Sequence, residues 1–401
     1  MAGMTIALLV GCLGIAATMA TLAAQGIVRQ VGPTRPFLDI QSAVNAALDG
    51  DVVEVDSGSY PPFVITGKRL VVMANQSGGT GAKFTVNGAP AIVVTGLQPW
   101  QHVTIANARA AATVAAPAIS ISNQGTGSVR LLDVEVLAGH FGPVAYDGLI
   151  EVRDTDLVWC DRVRAGDYRY RCNGAGGTTG LAALHSESST LQLTRCVLHG
   201  NRSNDPWIDS GDGVHLVGFG SVWATDCHLV GGLAPLAALP GVLGGHAVHD
   251  AGGSSGAIRM CATKLLATDP AAAAFAVAGV PSFLMACLPD GIARTELPLG
   301  VTTAAPGATT TLTVRADVPN QVFVMLFSAE FGEVDLPFVR GELLAGGSFG
   351  LLTAGVVAAP VGIPITVPLQ PGLVGLQCTA QSVLVTTPMF AASTAAAFTV
   401  R

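Results

Sequence analysis

The chain contains 401 residues, of which 50% are hydrophobic and only 12% are charged, and its formal net charge is −7. This balance excludes a disordered protein, and the 49 glycines exclude a helical bundle, so we expect many short strands joined by turns. The acidic charge also argues against nucleic acid as a partner, because it repels phosphate backbones.

The beginning of the chain is strongly apolar. Residues 5–24 are rich in Ala, Leu and Ile, and ordinary sequence begins at Gln25. We interpret residues 1–24 as a secretory signal peptide cleaved near Ala23-Ala24. Two alternatives stay open: Leu9-Val-Gly-Cys12 matches a bacterial lipobox, and about 20 apolar residues suffice for a retained membrane anchor. All three predict bacterial-type export to the medium or the cell surface, and no other membrane contact is expected.

A short helix and a group of strands follow. Residues 39–48 read as a helix, because Asp39 can cap its N-terminus and Ile40, Val44 and Leu48 fall on one face. The strands predicted after it contain alternating or continuous apolar residues. They cover residues 52–55, 60–65, 70–73, 91–94, 103–105 and 118–122.

This opening segment carries a family resemblance. Residues 40–55 (IQSAVNAALDGDVVEV), followed by Gly58-Ser-Tyr60 and by FVITGK at 63–68, resemble the start of secreted right-handed parallel β-helix proteins of the pectin-lyase-like superfamily. In that superfamily the helix caps the open end of the solenoid and protects the first coil from edge pairing. The resemblance covers residues 37–287. It implies the fold and no particular activity.

One ten-residue pattern occurs twice in the middle of the chain. LQLTRCVLHG at 191–200 is followed by VWATDCHLVG at 222–231, which starts 31 residues later. Weaker copies lie at 129–138, with Val134 in the cysteine slot, and at 258–265. Two period-2 strands joined by a two-residue bend, recurring about every 30 residues, describe one coil of a solenoid. Residues 25–295 are therefore predicted to form a right-handed parallel β-helix with an N-terminal capping helix.

The character of the sequence changes near Glu296. Longer segments with period-2 alternation predict an antiparallel β-sandwich domain over residues 296–401, which makes the whole chain all-β. Its predicted strands cover residues 310–314, 321–326, 365–369, 375–380 and 397–400. The segment 367–381 resembles C-terminal accessory modules of secreted bacterial surface proteins, which implies a role in attachment.

The cysteines agree with export. Cys160 and Cys172, which are separated by a polar loop, are predicted to form a local disulfide, and Cys261 with Cys287 could staple the last coil. Cys196 and Cys227 occupy the same slot of successive coils, where a disulfide and two buried thiols are both compatible with the spacing. Cys378 is expected to be free and buried. No cysteine spacing suggests zinc.

Three apolar–histidine pairs precede successive copies of the coil pattern. They are Leu184-His185, Val214-His215 and Val248-His249. If the apolar residue of each pair points inward, pleat alternation places the three histidines outward and roughly stacked. In enzymes of the resembled superfamily, the strand in this place forms the floor of the substrate groove.

A catalytic interpretation uses the acidic residues near these histidines. Inverting glycoside hydrolysis needs two carboxyl groups, and Asp209 with Asp212, assisted by His215, are the candidates. The substrate-binding candidates are His185, Glu187, Arg202, Asp205, Trp207, His249 and Asp250. Arg195 and Arg202 are the nearby candidates for a base, because lyases of the superfamily pair calcium-binding acids with Arg or Lys, but neither sits in a matching motif. Asp205, Asp209 and Asp212 could bind calcium, and no other cofactor is expected.

A non-catalytic interpretation explains the same residues. Outward polar stacks occur on every β-helix, and Asp-Ser-Gly-Asp-Gly at 209–213 is ordinary turn chemistry. No intact catalytic signature of the superfamily is present, since Gly244-Gly-His246-Ala-Val-His249 stands in place of an Asp pair with Gly-His-Gly. We therefore favour a non-catalytic glycan-binding or structural protein over a polysaccharide hydrolase or lyase. Self-association by stacking of coils is a third hypothesis, which light scattering would test.

Overall fold

The computed structural model describes most of the solenoid and a large part of the C-terminal region. The described residues are 26–76, 81–88, 90–112, 116–138, 148–166, 171–172, 181–203, 210–233, 244–251, 257–261, 263–266, 277–278, 283–286, 293–296, 303–305, 307–316, 320–328, 331–334, 339–340, 343–345, 349–367, 369, 374, 376–385 and 390–400. Within these residues, no helix is long and apolar enough to cross a membrane. The interpretations of residues 1–24 lie outside them.

Three parallel sheets form a β-solenoid, which confirms the prediction from the coil repeat. Sheet 1 has ten strands, and sheets 2 and 3 have eight each. The strands of sheet 1 are Val28–Val31, Val52–Val55, Leu70–Ala74, His102–Ala106, Ser128–Leu132, Leu157–Asp161, Thr190–Thr194, Ser221–Thr225, Ala257–Cys261 and Phe283–Ala286. Those of sheet 2 are Phe63–Thr66, Ile92–Thr95, Ile119–Ser122, Gly148–Arg153, Ala182–Glu187, Val214–Val217, Val248–Asp250 and Val277–Ala278. Those of sheet 3 are Ser59–Tyr60, Phe84–Gly88, Ala108–Ala112, Glu135–Ala138, Arg164–Ala165, Val197–His199, His228–Val230 and Lys264–Leu266. A further parallel pair joins Arg171–Cys172 to Arg202–Ser203.

Each coil passes through sheets 1, 3 and 2 in turn and contributes inward side chains to one continuous core. In sheet 1, Leu193 lies in register with Cys160 of the preceding coil and Ala224 of the next, and all three are fully buried. A single coil could not bury these side chains, because its interior is closed only by its neighbours. The core therefore runs along the solenoid axis.

The bend between sheets 1 and 3 uses a left-handed backbone residue in five successive coils. The φ angles at these positions lie between 52° and 56°. The residues are Asn107, Asp133, Arg162, Arg195 and Asp226. Asn and Asp tolerate this conformation better than other non-glycine residues. At Arg195, two hydrogen bonds to Asp161 Oδ1, at 2.9 and 2.7 Å, offset the cost of the bend.

The predicted capping helix is present as Ile40–Ala46. Asp39 is its N-cap, and its Oδ1 accepts a hydrogen bond from the Ser42 N–H at 2.7 Å. Ile40 and Val44 join the solenoid core. Lys68 Nζ donates to carbonyl oxygens at the C-terminal end of the helix, including that of Val44 at 2.8 Å. The helix is therefore held at both ends against the first coil.

The four cysteines whose side chains the structure describes are buried free thiols. Cys160, Cys196 and Cys227 lie in the solenoid core, and Cys378, as predicted, is free and buried in the C-terminal domain. The predicted Cys160–Cys172 disulfide is wrong, because Cys160 points inward with Leu193 and not toward a loop. Burial raises the pKa of the Cys160 and Cys196 thiols well above the ordinary value, so these thiols are unreactive. The pairing predicted for Cys261 and Cys287 lies outside the described side chains.

Substituting Cys196 or Cys227, which occupy the same slot of successive coils, by valine is expected to leave the solenoid intact. Val134 and Val163 occupy the equivalent slot in the two preceding coils. Cys196→Val and Cys227→Val should therefore each change the free energy of unfolding by less than about 1.5 kcal/mol in a urea titration. A loss above about 3 kcal/mol would contradict the assignment of this slot to an apolar inward column.

The C-terminal domain is built from antiparallel strands around its own core, in agreement with the predicted sandwich-like fold. Nine strands form one hydrogen-bonded sheet, in which Phe349–Val357, Gln321–Ser328, Gln377–Val385, Phe390–Val400, Ala293–Glu296, Thr309–Ala316 and Val361–Thr366 follow one another. Thr303–Ala304 and Val339–Arg340 also pair with Phe390–Val400, in the parallel direction, and a separate pair joins Phe331–Val334 to Leu343–Ala345. The boundary predicted between residues 295 and 296 falls within the strand Ala293–Glu296.

This domain covers the outer face of sheet 1. Along the strand Phe390–Val400, Ala396 and Phe398 belong to the domain's own core, while Ala395 and Ala397 pack against the solenoid. The small alanine side chains let the two sheets approach closely. The solenoid side of this contact contains Val52, Val71, Met73, Ala106, Leu132, Leu157 and Trp159.

Polar groups are also enclosed in this interface. Thr104 Oγ1 donates a 2.6 Å hydrogen bond to Gln377 Oε1 across it. The guanidinium carbon of Arg130 lies 5.8 Å from the centroid of the Trp159 ring, at cation–π distance. Burial lowers the pKa of Arg130 to about 9, so the side chain remains charged at neutral pH. The C-terminal domain is thus joined to the solenoid by packing and by specific hydrogen bonding.

Candidate functional site

Sheet 2 carries the predicted outward column of imidazoles. The register pairs His185 with His215 and His215 with His249, and we call these three residues the histidine column. Their apolar neighbours Leu184, Val214 and Val248 are fully buried, as predicted. The prediction of inward apolar residues and outward histidines is therefore confirmed. His185 is buried, with 6% exposure, whereas His215 and His249 are partly exposed.

Charged residues extend the histidine column into the coil that precedes His185. Glu151 pairs in register with His185, and Arg153 with Glu187. Arg153 lies within ion-pair distance of both carboxylates, at 3.6 Å from Glu151 and 3.7 Å from Glu187. Its side chain is nearly half exposed, so each ion pair is partly screened by solvent. Imidazoles at one end and an Arg–Glu cluster at the other form one polar strip.

Asp212 is the centre of the site. Its Oδ2 lies 2.8 Å from Nδ1 of His215 and 3.0 Å from Nδ1 of His249. Its Oδ1 accepts a 2.7 Å hydrogen bond from the backbone N–H of His246. The residue is only 4% exposed. One buried carboxylate therefore fixes two imidazoles that belong to different coils.

Glycines on both sides of Asp212 allow its backbone to lie close to the neighbouring coils, which positions the carboxylate. A Cβ atom on Gly211 would collide with the carbonyl oxygen of Leu181. The Gly211 N–H donates to the carbonyl of Asn201 at 2.9 Å, and the Gly213 N–H to the carbonyl of His246 at 2.8 Å. The backbone is hydrogen-bonded on both sides of Asp212, so the carboxylate has a defined position.

The electrostatics of the site keep Asp212 ionised. Burial acts to raise its pKa, but hydrogen bonds from His215 and His249 outweigh burial and lower the pKa to about 2. An ionised carboxylate can only accept hydrogen bonds, so both Nδ1 atoms act as donors in this arrangement. For His215, Nε2 is then the ring nitrogen available to a ligand.

The imidazole rings also contact one another. The His185 and His215 rings are stacked, with centroids 5.3 Å apart and an interplanar angle of 19°. The His215 and His249 rings meet edge to face at 4.8 Å, and those of His246 and His249 at 5.0 Å. Packing by neighbouring rings restricts ring rotation in the column.

The structure brings together some of the residues predicted from the sequence. Asp212, His215 and His249 are in contact, His185 stacks on His215, and Glu187 lies in the adjacent outward column. Asp250 does not join them, because it lies in register with the inward-facing Leu216 and is 1% exposed. Asp205, Trp207 and Asp209 lie outside the described residues, and the Arg202 side chain is not described. The calcium group predicted from Asp205, Asp209 and Asp212 is therefore described only at Asp212.

Sequence reasoning missed His246 as a member of the site. Backbone hydrogen bonds place the segment beginning at His246 beside the segment beginning at Asp212. The spacing contains the signal, since Asp212 and His215 are followed 34 residues later by His246 and His249. An Asp-x-x-His motif in one coil thus faces a His-x-x-His motif in the next.

Comparisons with protein-family models, with curated proteins and with solved structures found no match to this chain. The assignment of function therefore depends on the site itself.

Proposed function

We propose that this chain is an exported, extracellular or cell-surface β-helix protein whose histidine column binds a polysaccharide or cell-surface glycan without cleaving it. The observation that carries this proposal is the arrangement of His215 and His249 on the ionised, buried carboxylate of Asp212. Imidazoles held in this way reach a ligand with little loss of conformational entropy.

The geometry suits a chain-like ligand. Successive rungs of sheet 2 place polar side chains at regular intervals of about 4.8 Å along the solenoid. Glu151, His185, His215 and His249 follow one another on this axis. Glu151 and His185 are buried, so an extended polysaccharide lying along the strip would contact the partly exposed His215 and His249 and, beyond them, Arg153 and Glu187.

The electrostatics favour binding over hydrolysis. A glycosidase needs a carboxylic acid whose raised pKa keeps its proton available for the leaving group. Asp212 has the opposite property, since its pKa is lowered to about 2 and its carboxylate is buried. Its role in this site is to position His215 and His249.

The proposal includes export of the protein and a relationship to the pectin-lyase-like superfamily. The apolar segment 5–24 supports a secretory signal, and the resemblance of residues 37–287 to the pectin-lyase-like superfamily supports a secreted β-helix protein that acts on or near polysaccharides. Attachment to a surface through the C-terminal domain would use a surface of the domain that does not pack on sheet 1.

A polysaccharide-degrading enzyme is the second candidate. Its support is the Asp212–His215 hydrogen bond, because a carboxylate that orients an imidazole is a common arrangement for a general base. In this candidate His215 takes a proton and Asp212 fixes its tautomer.

A polysaccharide panel distinguishes the two candidates. Residues 25–401 would be tested by affinity electrophoresis, and the same mixtures would be assayed for new reducing ends and for unsaturated products, with and without calcium. We expect retention by at least one polysaccharide, no product, and at least tenfold weaker retention for His215→Ala. The matched control is His228→Ala, because His228 lies on sheet 3, away from the histidine column.

Each other outcome is informative. Product formation that disappears in His215→Ala would establish the enzyme and remove the binding proposal. Equal retention of the wild type and His215→Ala would place the glycan site elsewhere and remove the histidine column from it.

A further inference from the structure

The donor atoms of Asp212, His215 and His249 converge on one point. Among the residues that the structure describes, these three are the one group of His, Cys, Asp or Glu whose ligand atoms all lie within 4.8 Å of one another. We propose that they form a binding site for a divalent first-row transition metal of the zinc type. This goes beyond the proposed function, because glycan binding by the histidine column needs no metal.

The distances are close to those that such an ion requires. Zinc binds imidazole nitrogen and carboxylate oxygen at about 2.0–2.2 Å, so neighbouring ligand atoms around a tetrahedral ion are about 3.3–3.5 Å apart. The separations from Asp212 Oδ2 to the two Nδ1 atoms are 2.8 and 3.0 Å, which are hydrogen-bond distances. An outward shift of about 0.5 Å between these atoms would make room for the ion.

The donor set selects the metal class. Two imidazole nitrogens and one carboxylate oxygen suit zinc, cobalt, nickel or ferrous iron, whereas calcium takes six to eight oxygen ligands. An imidazole binds a metal through Nδ1 when its one remaining proton is on Nε2. The site differs in ligands and in metal from the calcium group expected around Asp205, Asp209 and Asp212.

The surroundings hold the ligands in place. The His246 N–H fixes the second oxygen of Asp212 at 2.7 Å, and the stacked ring of His185 supports His215. Such outer contacts orient metal ligands and contribute to affinity. The His215 and His249 side chains are 15% and 27% exposed, so the ion can enter from solvent. Three protein ligands leave at least one coordination position for water or for an oxygen atom of a ligand.

Isothermal titration with zinc chloride tests the site directly. The protein would be residues 25–401 without a histidine tag, treated with chelator and dialysed, and no glycan would be present. We expect one zinc ion per chain with a dissociation constant in the micromolar range or below, and no competition from millimolar calcium. His249→Ala should weaken binding at least tenfold, and His228→Ala should leave it unchanged.

A second ligand variant and a second metal complete the test. His215→Ala should reproduce the loss, with far-UV circular dichroism showing that each variant is folded. Cobalt should give a visible absorption band that disappears in His249→Ala, since that band requires coordination by the protein. His249 is the more exposed ligand, so His249→Ala is the variant least harmful to folding. Its zinc titration decides the test.

Three results would overturn the proposal: no zinc binding below millimolar concentration, full-strength binding by folded His249→Ala, or tighter binding of calcium than of zinc. Because the titration contains no glycan, zinc binding by a protein that retains no polysaccharide removes only the proposed function. Polysaccharide retention by a protein that binds no zinc removes only the metal site.

Discussion

A chain that ends at Asp290 is expected to be insoluble or to form soluble aggregates. The truncation removes the strands that cover sheet 1 and exposes an apolar face that includes Val71, Met73 and Trp159. A contiguous apolar patch of this kind is rare on monomeric proteins and promotes association. The C-terminal domain is therefore required for a soluble solenoid, whatever else it does.

The expected size of the effect follows from burial. Fully burying a large apolar side chain is worth about 1.5–3 kcal/mol. Val52, Val71, Met73, Leu132, Leu157 and Trp159 are all buried at this face. Their combined contribution is comparable with the whole free energy of unfolding of a typical domain, about 5–15 kcal/mol. Expression and size-exclusion chromatography, with a fluorescent probe for exposed apolar surface, provide the measurement.

A single substitution tests the same interface in the full chain. Ala397 is buried between the two sheets, so Ala397→Glu introduces both excess volume and an unpaired charge. We expect a loss of at least about 3 kcal/mol. Val356→Glu is the control, because Val356 lies in the same domain and is 53% exposed. A monomeric truncated chain with the thermal stability of the full protein, or an Ala397→Glu variant as stable as Val356→Glu, would contradict the interface.

Replacing Asp212 by Asn is expected to destabilise the metal-free protein by about 2 kcal/mol at neutral pH. The native pKa of Asp212 is lowered from 3.8 to about 2, and each pKa unit corresponds to about 1.4 kcal/mol. Because the native pKa is the lower one, this contribution is fully present above pH 3.8. It is lost as the pH falls from about 4 to about 2.

The pH dependence separates the charge of Asp212 from a general effect of substitution. The difference in unfolding free energy between the wild type and Asp212→Asn should be largest at pH 5–7 and should shrink toward pH 2. Asp154→Asn is the matched control, since Asp154 is an exposed bend residue with a left-handed backbone that Asn also accepts. Urea titrations with chelator at several pH values give the measurement, and a difference that does not change with pH would contradict the assigned electrostatics.

The C-terminal domain covers sheet 1 of the solenoid, and this structural role is separate from any role in attachment. Residues 395–400 of its last strand are buried on both faces, by its own core on one side and by the solenoid on the other. A module linked only by a flexible connection would not bury polar groups such as Thr104 and Gln377 against each other. Binding partners of this domain are therefore expected to use a surface that does not pack on the solenoid.

The sequence by itself determined the solenoid, the N-cap at Asp39 and the outward direction of His185, His215 and His249. These features depend on two regularities, the period of two along a strand and the 31-residue recurrence of one coil. Both can be read directly from the sequence. The same alternation predicted the antiparallel C-terminal strands, and the odd number of cysteines predicted that Cys378 is free and buried.

Only the tertiary structure decided which outer face of the solenoid is covered and which carboxylate holds the histidines. A period-2 pattern separates inward from outward side chains, but it does not say what packs on the outward ones. Continuous apolar runs such as Leu157-Val-Trp-Cys160 were the available signal that sheet 1 is buried on both faces. The sharing of Asp212 by His215 and His249 depends on how neighbouring coils register, because this contact joins residues that are distant in the chain. The inward position of Asp250 follows from the same alternation that places His249 outward.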